Sequence, residues 1–297
     1  MKFPLKGVPF RQWLMTTEVI AATIFLCGCL TPAQRVDLAA TRFGYSSHVA
    51  ESKTFKHRIY RNRHGMSSAA DTLHVYLEGD GTPWINNHDK IAADPTPRLP
   101  LMLELMALDR QPAVYLGRPC YHGYAGTPAC SPALWTYARY SEEVVDSMAQ
   151  VIREQLRQAG VDRLVLFGHS GGGVLAVLLA ARLPQTRGVI TVGANIDIDA
   201  WADLHDYSRL QGSLNPLNEP PLHTSIAQLH MIGGRDTNVP AALLHPYASR
   251  QADAQVVVLP DYDHVCCWRD LWLQILAWTR TIDRLPAGHR ATRFLNH

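Results

Sequence analysis

The stretch Leu164-Val165-Leu166-Phe167-Gly168-His169-Ser170-Gly171-Gly172-Gly173 constrains this chain more than any other. Four apolar residues run into a glycine-flanked serine, and a small, apolar, helix-like stretch from Gly171 to Leu183 follows, closed by Pro184. A G-x-S-x-G pattern alone is common by chance. Between a buried strand and a helix it describes a tight turn that lifts the serine hydroxyl clear of the chain. The flanking glycines relieve steric crowding in such a turn. The helix that follows points free N–H groups towards the serine, where negative charge would be held.

The rest of the chain repeats this rhythm. Candidate strands are residues 57–60, 73–77, 113–116, 164–167, 189–192, 229–232 and 256–259. Several are unbroken apolar runs, as strands of a parallel sheet buried on both faces tend to be. Helical patterns lie between them, at Leu99–Leu108, Ser141–Ala159, Gly171–Leu183 and Asp270–Ile282. Ser141 followed by two glutamates reads as an N-cap with acids in the first turn, and Gly160 as the stop. Alternating strands and helices imply an α/β fold around a mostly parallel sheet with helices on both faces. Residues 195–224, with Trp201, Tyr207 and several prolines, break the rhythm and form a candidate lid.

These residues resemble the α/β-hydrolase superfamily over roughly residues 55–285. The resemblance implies an α/β-hydrolase fold and a serine, acid, histidine order along the chain. Ser170 is then the nucleophile. The strand ending in Gly233-Gly234-Arg235-Asp236, followed by Val239-Pro240, resembles the acid-bearing loop, so Asp236 is the expected acid, with Asp197 and Asp199 as rivals. His264, after the last strand, is the expected base, and His169 a structural neighbour of the serine. For the oxyanion hole the resemblance implies the amide of Gly171 and one from the loop after an early strand. That loop reads Glu78-Gly79-Asp80-Gly81, where the family more often has His-Gly. Asp80 is the expected donor, and an Asp-Gly hairpin turn is the alternative. Trp84, Tyr121 and Trp268 are candidate walls of an apolar acyl pocket.

The first residues read as an export signal. Lys2, Lys6 and Arg11 give a basic start, and Val19–Leu26 is a short, nearly continuous apolar run. It is far short of the roughly 20 residues that span a bilayer. Leu26-Cys27-Gly28-Cys29 resembles a bacterial lipobox, which implies cleavage after residue 28 and lipidation of Cys29. A plain signal peptide cut between Thr31 and Ala40, or an N-terminal anchor, is the alternative. Residues 29–48 would then be a tether and 49–297 the catalytic domain.

Of six cysteines, four lie beyond the signal, an even number that favours disulfides in an exported chain. Cys120 with Cys130 closes a short loop rich in Gly and Pro and is the favoured pair. Cys266 and Cys267 then form a strained vicinal bridge or remain free thiols. No cysteine spacing or His-Glu-x-x-His element suggests a metal, and no cofactor is expected. A formal net charge of +2, without clustered Lys and Arg, gives no nucleic-acid footprint. The reading is an exported, lipid-anchored serine hydrolase acting on a carboxylic ester. A thioesterase or peptidase of the same fold is the nearest alternative, and a non-catalytic surface lipoprotein the more distant one.

Overall fold

The computed structural model describes residues 30–64, 71–86, 89–283 and 293–294. Cys29 and the residues read as an export signal lie outside the described residues. From Pro32 onward the chain packs around an eight-stranded sheet. We number its strands β1 (Ser46–Glu51), β2 (Lys56–Arg61), β3 (Thr72–Leu77), β4 (Ala113–Leu116), β5 (Arg163–His169), β6 (Thr186–Val192), β7 (Ala227–Gly233) and β8 (Ala254–Leu259). Their spatial order is β1-β2-β4-β3-β5-β6-β7-β8. β2 runs antiparallel to β1 and β4, and the strands from β4 through β8 are parallel. This is the α/β-hydrolase fold. A separate two-stranded hairpin joins Trp84–Ile85 to Lys90–Ile91.

Period-two alternation divides the strand side chains between two cores. Leu73, Val75, Leu77, Leu164, Leu166 and Val189 face one core. Tyr76, Val165, Phe167, Ile190, Val192 and Met231 face the other. Helices α3 (Glu142–Ala159) and α4 (Gly171–Ala180) cover the first face. Helices α1 (Pro32–Arg42), α2 (Leu101–Leu105) and α6 (Trp268–Asp283) cover the second.

Local chemistry accounts for the helix ends. Ser141 Oγ accepts from the Val144 amide, and Gly160 closes α3 with φ 65° in the left-handed region. Val144, Val145, Met148, Val151, Ile152 and Leu156 form the buried stripe of α3 at helical spacing. Every residue of α4 is buried, which explains why its sequence is apolar on all sides.

The expected tether is a correction. Residues 32–42 fold as α1, with Val36 and Ala40 fully buried, and residues 46–51 form the edge strand β1. The cost of ordering this segment is offset by burying those side chains and by a 2.7 Å hydrogen bond from Tyr60 Oη to Asp37. Among the described residues, no helix is long and apolar enough to cross a membrane.

Cys120 and Cys130 are joined, as the sequence suggested, and Cys266 is bonded to Cys267. The first bridge closes the loop that follows β4, with a sequence separation of 10. Replacing both Cys120 and Cys130 by serine should cost about 3 kcal/mol in the chain-entropy model. Urea denaturation of the oxidised protein and of the double variant measures the difference.

Candidate functional site

The site forms at the carboxyl ends of the strands, where the β5 backbone turns abruptly into α4. Ser170 occupies that turn with φ 51° and ψ −127°, a conformation side chains rarely adopt. Two contacts hold it there. The Ser170 amide donates to the Val192 carbonyl at 2.9 Å, and the Ser170 carbonyl accepts from the Gly173 amide at 2.8 Å. The turn is tight enough to exclude side chains on either side. A Cβ on Gly168 would lie 2.3 Å from the Gly172 carbonyl oxygen, and one on Gly172 would lie 2.2 Å from the Leu77 carbonyl oxygen. The glycines are thus required by close backbone approach, which brings the end of β3 against the start of α4.

His264 and Asp236 meet across two neighbouring loops. His264 Nδ1 is 2.7 Å from Asp236 Oδ2. The other carboxylate oxygen, Oδ1, accepts from the amides of Asn238 at 2.9 Å and Val239 at 2.8 Å. The Asp236 side chain is fully buried and the His264 side chain 20% exposed. The loops are also stitched by their backbones, Gly234 N–H to Leu259 O at 2.7 Å and Arg235 N–H to Tyr262 O at 2.9 Å. Asp263 Oδ1 folds the chain around the histidine by accepting from the amides of Val265 and Cys266 at 2.8 and 2.6 Å. These hydrogen bonds hold the Asp263 carboxyl below its usual range. His169 Nε2 donates to the His264 carbonyl at 2.8 Å.

Asp197 and Asp199 are engaged elsewhere. Asp197 caps helix α5 (Ile198–Leu204) through the Ala200 amide at 3.2 Å, and Asn215 Nδ2 donates to both carboxylates at 3.1 and 3.0 Å.

The loop after β3 runs alongside the serine. A Cβ placed on Gly79 would be 3.4 Å from Ser170 Cβ. The buried Glu78 carboxylate takes the Gly79 amide at 3.2 Å and the Met102 amide at 2.9 Å. The Gly79 N–H is therefore already engaged by the neighbouring carboxylate.

The Asp80 side chain does something the sequence did not announce. Its carboxylate lies between Arg118 Nη2 at 2.8 Å and Arg139 Nη1 at 2.7 Å, and Tyr140 Oη donates to it at 2.7 Å. Burial alone would raise the Asp80 pKa. The two guanidiniums and the Tyr140 hydroxyl outweigh it and hold the carboxyl at about 2. A Cβ on Gly171 would lie 1.9 Å from Asp80 Oδ1, so the charged cluster sits directly behind the start of α4.

A pocket of about 670 Å³ opens over these groups. Ser170, His264, His169 and Glu78–Asp80 line it. Trp84, Leu99, Tyr137, Arg139, Asn238, Trp201 and Tyr207 line its sides. The 195–224 insert contributes Trp201, Tyr207 and Leu210 to the wall.

Two expected wall residues are corrections. Tyr121 is 1% exposed and lies beneath the loop, its hydroxyl donating to the Asp80 carbonyl at 3.0 Å. Trp268 has no exposed surface and packs in the core that carries Phe167 and Trp272. Tyr137, Trp201 and Tyr207 hold the wall positions instead. Arg118, Arg139, Tyr140 and Asn238 also belong to the site, yet no motif marks them.

Residues 107–218 match the family model for the alpha/beta hydrolase fold. No curated protein sequence matches the chain. Among solved structures, a bacterial membrane phospholipase A is similar with a TM-score of 0.56 at 16% identity, over 93% of this chain and 100% of that one. An esterase from Pyrococcus furiosus is similar with a TM-score of 0.55 at 13% identity, over 87% of this chain and 93% of that one. At such identities the likeness speaks for the fold alone.

Asp80→Asn would keep the backbone amide but leave two guanidiniums without a counter-charge. It should destabilise the protein by about 3 kcal/mol or more, read from urea denaturation at pH 7. Because the folded pKa is depressed, the stabilisation from Asp80 is present above the unfolded value near 4 and fades as pH falls towards 2. The gap between the two proteins should narrow over that window.

Proposed function

We propose that this chain is a serine hydrolase that cleaves carboxylic esters through an acyl-enzyme on Ser170. The observation that carries the reading is the 2.7 Å contact of His264 Nδ1 with buried Asp236, on the pocket that also holds Ser170 at its positive-φ turn. In this mechanism His264 takes the Ser170 proton as the hydroxyl attacks the ester carbonyl. Asp236 keeps the ring proton on Nδ1 and stabilises the imidazolium. The amides of Gly171 and Asp80 receive the oxyanion, with the N-terminal end of α4 adding its partial positive charge. His264 then returns the proton to the leaving alcohol. A water activated by the same histidine frees the enzyme.

The aromatic and aliphatic sides, from Trp84, Leu99, Tyr137 and Trp201, favour an apolar acyl or alcohol group. The likeness to a phospholipase A and an esterase agrees with a lipid or small-molecule ester. No cofactor takes part in this scheme. The same serine, histidine and aspartate would serve a thioesterase or a peptidase, and p-nitrophenyl esters of increasing chain length compared with matched thioesters and amides separate the three.

Ser170→Ala should lose all labelling by a fluorophosphonate probe and nearly all esterase activity, with an unchanged circular dichroism spectrum. Asp236→Asn should lower kcat by about 10⁴, while Asp197→Asn stays within a few-fold of the parent. An Asp197→Asn loss larger than that of Asp236→Asn would move the acid to the earlier loop.

The proposal extends to location. The Leu26–Cys29 pattern and the Cys120–Cys130 bridge support an exported chain, anchored to a bacterial membrane by a lipid on Cys29 and facing the periplasm or cell surface. In a bacterial host the native chain should take up labelled palmitate and partition into detergent, and Cys29→Ser should take up none. Unlabelled, soluble periplasmic protein from the native sequence would point to an ordinary signal peptide.

A further inference from the structure

Asn238 stands two residues after Asp236, and its side chain has a task separate from its backbone. Nδ2 lies 3.1 Å from His264 Nε2. Oδ1 lies 3.4 Å from Trp201 Nε1. The Asn238 carbonyl accepts from His205 Nε2 at 2.8 Å. Trp201 and His205 belong to the insert, where their rings pack against Tyr207 with centroids 5.5 and 5.3 Å away.

The protons in this network follow from chemistry. An ionised carboxylate only accepts, so His264 carries its ring proton on Nδ1, towards Asp236. Nε2 is then a lone pair and needs a donor. The indole N–H of Trp201 only donates. Asn238 must therefore turn its oxygen to Trp201 and its amino group to His264, which is the arrangement found.

The lone pair that Asn238 fills is the one a general base uses to accept the serine proton. From these contacts we infer that Asn238, held by Trp201 and His205, caps His264 in the resting protein, and that the insert must release Asn238 before His264 can act. The inference rests on the reading of His264 as the base. Trp201 and Tyr207 also line the pocket. A substrate entering there presses on the residue that holds the cap, so occupancy of the pocket and release of the base are coupled.

The cap also selects a protonation state. On an imidazolium, Nε2 would be a donor facing the Asn238 amino group, so the cap favours the neutral ring. The other ionisable groups facing His264 are Asp236, His169 with ring centroids 4.8 Å apart, and the adjacent Asp263. All three stay in place in the variants below.

The test uses Asn238→Ala and Trp201→Phe, the second keeping an aromatic ring without the donor. Two quantities are read: the rate of fluorophosphonate labelling at neutral pH, and the pKa of the His264 ring by NMR. One net hydrogen bond is worth roughly a two- to tenfold change in equilibrium. Asn238→Ala should therefore label roughly two to ten times faster than the parent, with the His264 pKa raised by as much as about one pH unit. Trp201→Phe should shift both in the same direction by less. Slower labelling of Asn238→Ala, or a His264 pKa that stays put or falls, would overturn the cap. The NMR titration works equally on a Ser170→Ala background. Absence of labelling in the parent would thus count against the hydrolase reading, and an unmoved pKa against the cap alone.

Discussion

The contact between the end of β3 and the first turn of α4 is the constraint on which the site depends. Leu77 and Glu78 carbonyls lie where a Cβ of Gly172 would be, so strand and helix meet backbone to backbone. That approach does two things together. It holds Ser170 in an unfavourable backbone conformation, and it sets the Glu78–Asp80 loop alongside the serine. The strain is sustained by what surrounds it, an entirely buried helix and a strand packed on both faces.

Around this contact the protein places charge where a simpler core would have none. The positively charged Arg118 and Arg139 each lie within hydrogen-bond distance of the Asp80 carboxylate. Arg118 comes from the turn between β4 and the Cys120–Cys130 loop, and Arg139 from the segment that leads into α3. The cluster therefore ties three loops together at one carboxylate. A buried ion cluster of this kind is poor evidence of net stability, since desolvation offsets much of the attraction. Its clearer effect is geometric, fixing the loop that carries the Asp80 amide.

The sheet was legible in the sequence for a physical reason. β3 through β7 are buried along nearly their whole length, which imposes apolar runs, and the seven runs predicted became β2 through β8. The missing strand, β1, is an edge element whose residues are mostly exposed, so burial imposes no pattern on it. Helix α1 was hidden in the same way, because only Ala33, Val36 and Ala40 are buried in an otherwise polar segment. The turn at Ser170 was readable because its close backbone approach admits only glycine on both flanks, and the resemblance pointed to the two loops that bring Asp236 and His264 together. Tyr121 and Trp268 were misplaced because an aromatic side chain serves a core and a pocket wall equally well. Asn238, Arg118 and Arg139 left no signal, since their roles arise only from distances between remote segments.

The backbone hydrogen bonds between the Asp236 and His264 loops have a consequence for how such a chain can change. Gly234 and Arg235 donate to Leu259 and Tyr262 through main-chain atoms, so the pairing is indifferent to most side chains there. It is sensitive to the number of residues in each loop. A Cβ on Gly233 would fall 2.4 Å from the Tyr262 carbonyl oxygen, which leaves little room to rethread either segment. Descendants of this chain are therefore free to diversify the chemistry displayed along the two loops, whereas a single insertion or deletion within residues 233–236 or 259–264 would shift the pair out of register in one step.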